Sequence, residues 1–175
     1  GLDYAEFLSG KEEEVETFIL SFIRERVAQR IATITKRHDI IDAVVNSHTS
    51  SVPEQLKAAK VLSAVSESEE FKGITEALNR VINISAKAQV EASGEILEDR
   101  LETESERNLV KAIQELNKKV GSLSPEELYS HLEAMAPKIN DFFNENMVMV
   151  DDEATRRNRL RFLGLLSEII LDLAD

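Results

Sequence analysis

The sequence predicts an all-α fold, a helical bundle of about seven to nine helices. Two observations carry this. Apolar residues recur at spacings of three and four through most segments, and β-branched runs are short and few. Helix start signals also recur along the chain, with no repeat, low-complexity tract or flexible linker between them. The first helix is expected from Glu12 to Lys36. Its apolar stripe opens with Val15, Phe18, Ile19 and Phe22, then moves round the cylinder to Ile23, Val27, Ile31 and Ile34. Either its two halves meet different neighbours or the helix breaks near its middle. A shorter helix follows over 38–46, then a polar loop over 46–51. Ser51 and Glu54 have the spacing of a capping box and Pro53 suits a first turn, so a third helix is expected from there to about Val65.

The next helix, Ser68 to Ala88, places Phe71, Ile74, Leu78, Val81 and Ile82 on one face. Gly94 relaxes the chain before a short acidic turn over 95–101. Another helix is expected from Ser105 to Val120, stopped by Gly121. Ser124-Pro125-Glu126-Glu127 combines an N-cap, a first-turn proline and a capping box, a strong start signal. Pro137 removes a backbone donor and disfavours helix in the residue before it, so a kink or restart is expected there. The last helix should run from about Asp152 to Leu173. Asp151, Asp152 and Glu153 favour its partially positive end.

A chain of 175 residues can bury a real core without staples, roughly 70% of the surface its unfolded form exposes. It has no cysteine, which excludes disulfides and thiolate chemistry and suits a cytoplasmic setting. No apolar run reaches the roughly 20 residues a membrane span needs, and the opening residues lack the pattern of a signal peptide. The first residue is glycine rather than methionine, so the chain reads as a piece of something longer.

Lys and Arg number 21 against 33 Asp and Glu, a net charge of −12, which on average repels nucleic acid. Positive charge is nevertheless concentrated. Five of the residues between Arg24 and His38 are basic and one is acidic, and Arg156, Arg157, Arg159 and Arg161 have no acid among them. At about 100° per residue, Arg156 and Arg159 fall on the side of Leu160, Leu163, Leu166 and Ile170. They are expected to brace the fold. Arg157 and Arg161 stand one turn apart on the opposite, wet side, free to meet a partner.

Catalytic candidates are few. Asp151, Asp152 and Glu153 are consecutive on a helix start, so they point too far apart to converge on a cation and read as capping residues. His38-Asp39 is the pair found in metal-dependent phosphohydrolases, yet His48 and His131 show no partnering pattern. No Gly-rich phosphate loop exists among the six glycines. The fragment is therefore expected to be non-catalytic and to hold no metal or cofactor. RNA recognition couples cations with aromatic faces for unpaired bases, and the available platforms are Tyr4, Tyr129, Phe142 and Phe143.

Four motifs in order resemble one family. Phe22-Ile23-Arg24-Glu25-Arg26-Val27 followed by Arg37-His38-Asp39-Ile40-Ile41-Asp42-Ala43-Val44 resembles F-L-x-x-R-L and R-H-D-x-I-D-A-V. Leu78-Asn79-Arg80-Val81-Ile82-Asn83-Ile84 is similar to K-R-V-x-N-I, with Asn79 where lysine is usual. Ile139-Asn140-Asp141-Phe142-Phe143 through Met147-Val148-Met149-Val150 is similar to I-D-x-F-F-D-x-V-M-V-M, with Asn140 and Asn144 replacing acids. Asn158-Arg159-Leu160 completes an R-x-N-R-L segment. The family is the β subunit of the bacterial two-subunit glycyl-tRNA synthetase, in its C-terminal region. The resemblance implies a bundle similar to the anticodon-binding domain of arginyl-tRNA synthetase, with a helical body over 1–65 and a DALR-like bundle over 66–175.

It further implies a parent enzyme that joins glycine to tRNA(Gly) with ATP and magnesium, its catalytic site on a separate α subunit. The expected partners are tRNA(Gly), that α subunit and the remainder of the β chain, with no membrane. Arg157 and Arg161 are expected on phosphates, with Arg37, Arg80 and Lys87 as secondary contacts. A different expectation is a helical protein-interaction module whose acidic surface docks the α subunit or the rest of the β chain.

Overall fold

The computed structural model describes residues 12–49, 51–88 and 95–175, and within them seven α-helices and no strand. They are α1 (Glu12–Ile31), α2 (His38–Asn46), α3 (Val52–Val65), α4 (Glu69–Ala88), α5 (Glu104–Asn117), α6 (Pro125–Glu145) and α7 (Glu153–Leu173). Single 3-10 turns at Glu98–Arg100 and Val120–Ser122 flank α5.

The chain closes around α7. Leu163, Leu166, Phe162, Ile169 and Ile170 are buried on more than one side of that helix, and Gly164 and Ser167 are buried with them. A buried arc wider than half the helix marks an element set deep in a bundle, and α7 packs against α4, α5 and α6 while Arg157, Glu168 and Asp172 stay exposed on its remaining side. Phe142 of α6 sits at the centre with no exposed surface, edge-on to Phe162 at 5.3 Å and to Phe143 at 5.1 Å. Val27, Ile31, Ile40, Ile41, Val44, Ala58, Ala59 and Leu62 of α1 to α3 join the same buried cluster. Two backbone hydrogen bonds tie this part to the end of α7, from His48 N–H to the Leu171 carbonyl and from Asp175 N–H to the Ala43 carbonyl.

Two sequence expectations are corrected and a third is narrowed. The first helix stops at Ile31 rather than Lys36, because Thr33 and Thr35 bond locally instead: Thr33 Oγ1 donates to the Arg30 carbonyl and Thr35 Oγ1 accepts from Arg37 N–H. Ser51 makes no side-chain cap; Glu54 instead accepts from Thr49 Oγ1 at 3.0 Å. Pro137 lies inside α6, so of the expected kink or restart the restart does not occur. It is exposed, so the carbonyl it leaves without a helical donor faces water, while Ala136 and Ile139 beside it are buried. The Ser124 capping box forms as the spacing predicts, and Asp152 caps α7 by accepting from Thr155 N–H at 2.7 Å.

Candidate nucleic-acid interface

The arginine run lies on the first two turns of α7, where each side chain meets different surroundings. Arg159 is 3% exposed. Its Nε donates to Glu106 Oε1 at 2.6 Å, Nη2 to Glu102 Oε2 at 2.8 Å and Nη1 to the Met147 carbonyl at 2.8 Å. Glu106 is fully buried and also accepts from the backbone N–H of Glu102 and Thr103, closing a capping box at the start of α5. Burial pushes the Glu106 carboxyl up, but the Arg159 guanidinium and these two N–H groups outweigh it and hold it below the usual carboxylate range. Arg156 is half-buried and donates to the Val150 carbonyl at 2.8 Å. Arginines three residues apart thus hold both ends of the loop between α6 and α7. Val148 points inward from this loop, while Met147 and Met149 stand in solvent.

Arg157 is exposed and pairs with Glu153 one turn earlier on the same helix. Such an exposed pair is worth only about 0.3–0.5 kcal/mol and yields readily to another anion. Arg161 departs from expectation. Its Nη1 donates to the Glu95 carbonyl at 2.8 Å, and it walls a cleft of 540 Å³ with Glu95, Glu98 and Asp99. Helix phase gives a direction but not what covers it. The covering segment is fixed by Asn158, which is 1% exposed and bonds the Leu97 N–H and carbonyl at 2.8 and 2.9 Å. Three acids around one arginine make a poor seat for a phosphate.

Arg37 is also committed. It pairs with Asp39 through two hydrogen bonds, at 3.1 and 2.5 Å, and donates to the Ser66 carbonyl at 3.2 Å, which bridges α2 to the end of α3. The guanidinium beside Asp39 holds that carboxyl below its usual range. The same bond occupies the Asp39 oxygens that a histidine-aspartate metal site would need. Lys87 has its side chain, and Tyr4 its whole residue, outside the described residues.

Arg80 of α4 is exposed, and its guanidinium carbon lies 4.1 Å from the centre of the Phe143 ring. Of the aromatic platforms expected from sequence, Tyr129 and Phe142 are buried and give no open face. Phe143 is 9% exposed, its ring covered by Arg80. Both phenylalanines are buried although adjacent, because α6 packs against α4, α5 and α7 and its buried arc is wide. Sequence reasoning overlooked Glu106 and Asn158. The Thr103-x-x-Glu106 spacing was a readable capping box, whereas nothing local marks Asn158 as a partner for a backbone 61 residues away.

A bundle of this kind, with cations and a covered aromatic on α4, α6 and α7, defines a class that comparison makes specific. The chain belongs to the DALR anticodon-binding domain family, whose model matches residues 74–173. It is similar to the glycine–tRNA ligase beta subunit of Lactiplantibacillus plantarum, 34% identical over 159 residues, which cover 90% of this chain and 23% of that protein. It is also similar to the beta subunits of Lactobacillus acidophilus, 35% identical over 158 residues covering 90% and 23%, and of Streptococcus pyogenes, 38% identical over 146 residues covering 83% and 21%. The chain therefore spans less than a quarter of the length of these relatives. Among the described residues, no helix is long and apolar enough to cross a membrane.

Proposed function

We propose that this chain is the tRNA-holding region of a glycine–tRNA ligase β chain, gripping the anticodon arm of tRNA(Gly) while the enzyme joins glycine to it. The family match carries this reading: residues 74–173 contain most of α4, all of α5 and α6, and α7, which present Arg80, Phe143 and Arg157. Arg157 and Arg80 meet phosphate or base. Lys87, seven residues beyond Arg80 in the sequence, is a further phosphate contact in this reading. Arg156 and Arg159 act as braces, and Arg161 and Arg37 hold chain segments in place rather than RNA. ATP and magnesium are the cofactors this reading assigns to the parent enzyme. The catalytic α subunit and the remainder of the β chain are the protein partners, in the cytoplasm.

A filter-binding titration tests this. The chain should bind tRNA(Gly) more tightly than a tRNA with a foreign anticodon, and affinity should fall by roughly 0.7–0.9 log units per log unit of salt for each phosphate neutralised. Equal affinity for both tRNAs would overturn the anticodon assignment. Arg157→Glu should weaken tRNA binding and leave Tm within about 2 °C, since only an exposed pair is lost. Unchanged affinity would remove Arg157 from the interface.

A second reading draws on α1, where Val15, Phe18, Ile19, Leu20, Phe22 and Ile23 are all exposed, Phe18 at 70%. Apolar side chains pointing in many directions need a cover, which supports docking by the α subunit or the rest of the β chain. A pull-down that retains the α subunit but no tRNA would favour it over RNA binding.

A further inference from the structure

Arg80 has two faces, and the fold uses one. Its guanidinium lies on the Phe143 ring, yet the residue is exposed and no hydrogen bond or ion pair takes its nitrogens among the described residues. A guanidinium seated over an aromatic ring is a platform: its outer face can stack a nucleobase and its rim nitrogens keep their donors. Free arginines lose that orientation to rotamer freedom. Here the ring supplies it before any ligand arrives.

On α6 the exposed positions flanking Phe143 by register are polar and uncharged, while on α4 Glu76, one turn before Arg80, pairs with Lys72. On α6, Asn140 lies three residues before Phe143 and Asn144 one residue after it, so the two asparagines stand one turn apart on the solvent side of the ring. Both are exposed, and neither makes a side-chain hydrogen bond among the described residues. Each amide presents a donor pair and an acceptor, the set that reads the edge of an unpaired base. The acids of this stretch, Asp141 and Glu145, project about 100–140° round the helix from Asn140, away from the ring.

We infer that Arg80, Asn140 and Asn144 form a reading site for one unpaired nucleobase, stacked on the guanidinium that Phe143 holds and hydrogen-bonded by the two amides. This rests on the tRNA reading above and names where on the domain discrimination is made.

The test uses the 175-residue chain with tRNA(Gly) and a set of tRNA(Gly) transcripts changed at one anticodon base each. Arg80→Lys keeps the charge but not the plane. It should lower affinity for tRNA(Gly) roughly five- to a hundred-fold, as loss of one stacked base does, with an unaltered salt slope. Asn140→Ala with Asn144→Ala should flatten the ranking of the single-base transcripts, because a methyl group neither donates nor accepts. Thermal melts of both variants check that these exposed positions leave the fold intact, and a melted Arg80→Lys chain shifts the decision to the double asparagine variant. A wild-type chain that discriminates among the transcripts, with variants that keep its affinity and ranking, overturns the reading site alone. A wild-type chain that binds none of them overturns this site together with the tRNA reading.

Discussion

Arg159→Ala is expected to lose about 3–5 kcal/mol of stability, because it strips a fully buried carboxylate of the one guanidinium that pairs with it among the described residues. In a chain of this size that lowers Tm by on the order of 10 °C, readable by circular dichroism. The pH dependence separates this cause from simple loss of packing. In the intact protein Glu106 is held below the usual carboxylate range, so its contribution is complete above that range and is lost as pH falls through the lowered value. Without Arg159 the buried carboxyl is pushed up instead, and protonation relieves it. The gap between the two proteins should therefore narrow as the solution is acidified from neutral. A gap of constant size would mean that the arginine acts through packing alone.

Phe142→Ala is the second large effect. The ring is wholly buried between Phe143 and Phe162, and truncation of such a side chain costs about 3–5 kcal/mol through lost contact and the cavity left behind. The loss should reach beyond stability. Phe143 rests on Phe142 and carries Arg80, so the variant should also bind tRNA(Gly) less tightly at temperatures where it remains folded. Full affinity in a destabilised but folded variant would uncouple the interior from the interface.

Most of the fold was legible in the sequence because its signals are local. The Ser124-Pro125-Glu126-Glu127 start, the Asp152 cap and the 3–4 spacing of α4 each act within a turn or two of themselves. What was not legible depends on neighbours. Pro137 breaks a helix by rule, but here its missing bond faces water and the residues beside it are anchored in the core. Arg161 faces outward by phase, yet a segment 66 residues earlier in the chain lies across it. Arg37 was visible as a cation, whereas its bridge to the Ser66 carbonyl was not. The platform at Arg80 needed two helices brought together, which no spacing within one of them reveals. The division into 1–65 and 66–175 stands as a proposal, since the buried residues of both parts meet in one cluster.

Because α7 follows the other six described helices in chain order yet supplies much of the buried core, assembly on the ribosome has a set order. Glu106 waits 53 residues for Arg159, Leu97 waits 61 for Asn158, and His48 must find Leu171. Until α7 emerges, the nascent chain carries an open trough of leucine, isoleucine and phenylalanine, the kind of surface that chaperones bind and that aggregates when left uncovered. A translation stop before residue 153 would leave a product with one wall of its core missing, not a slightly shorter domain.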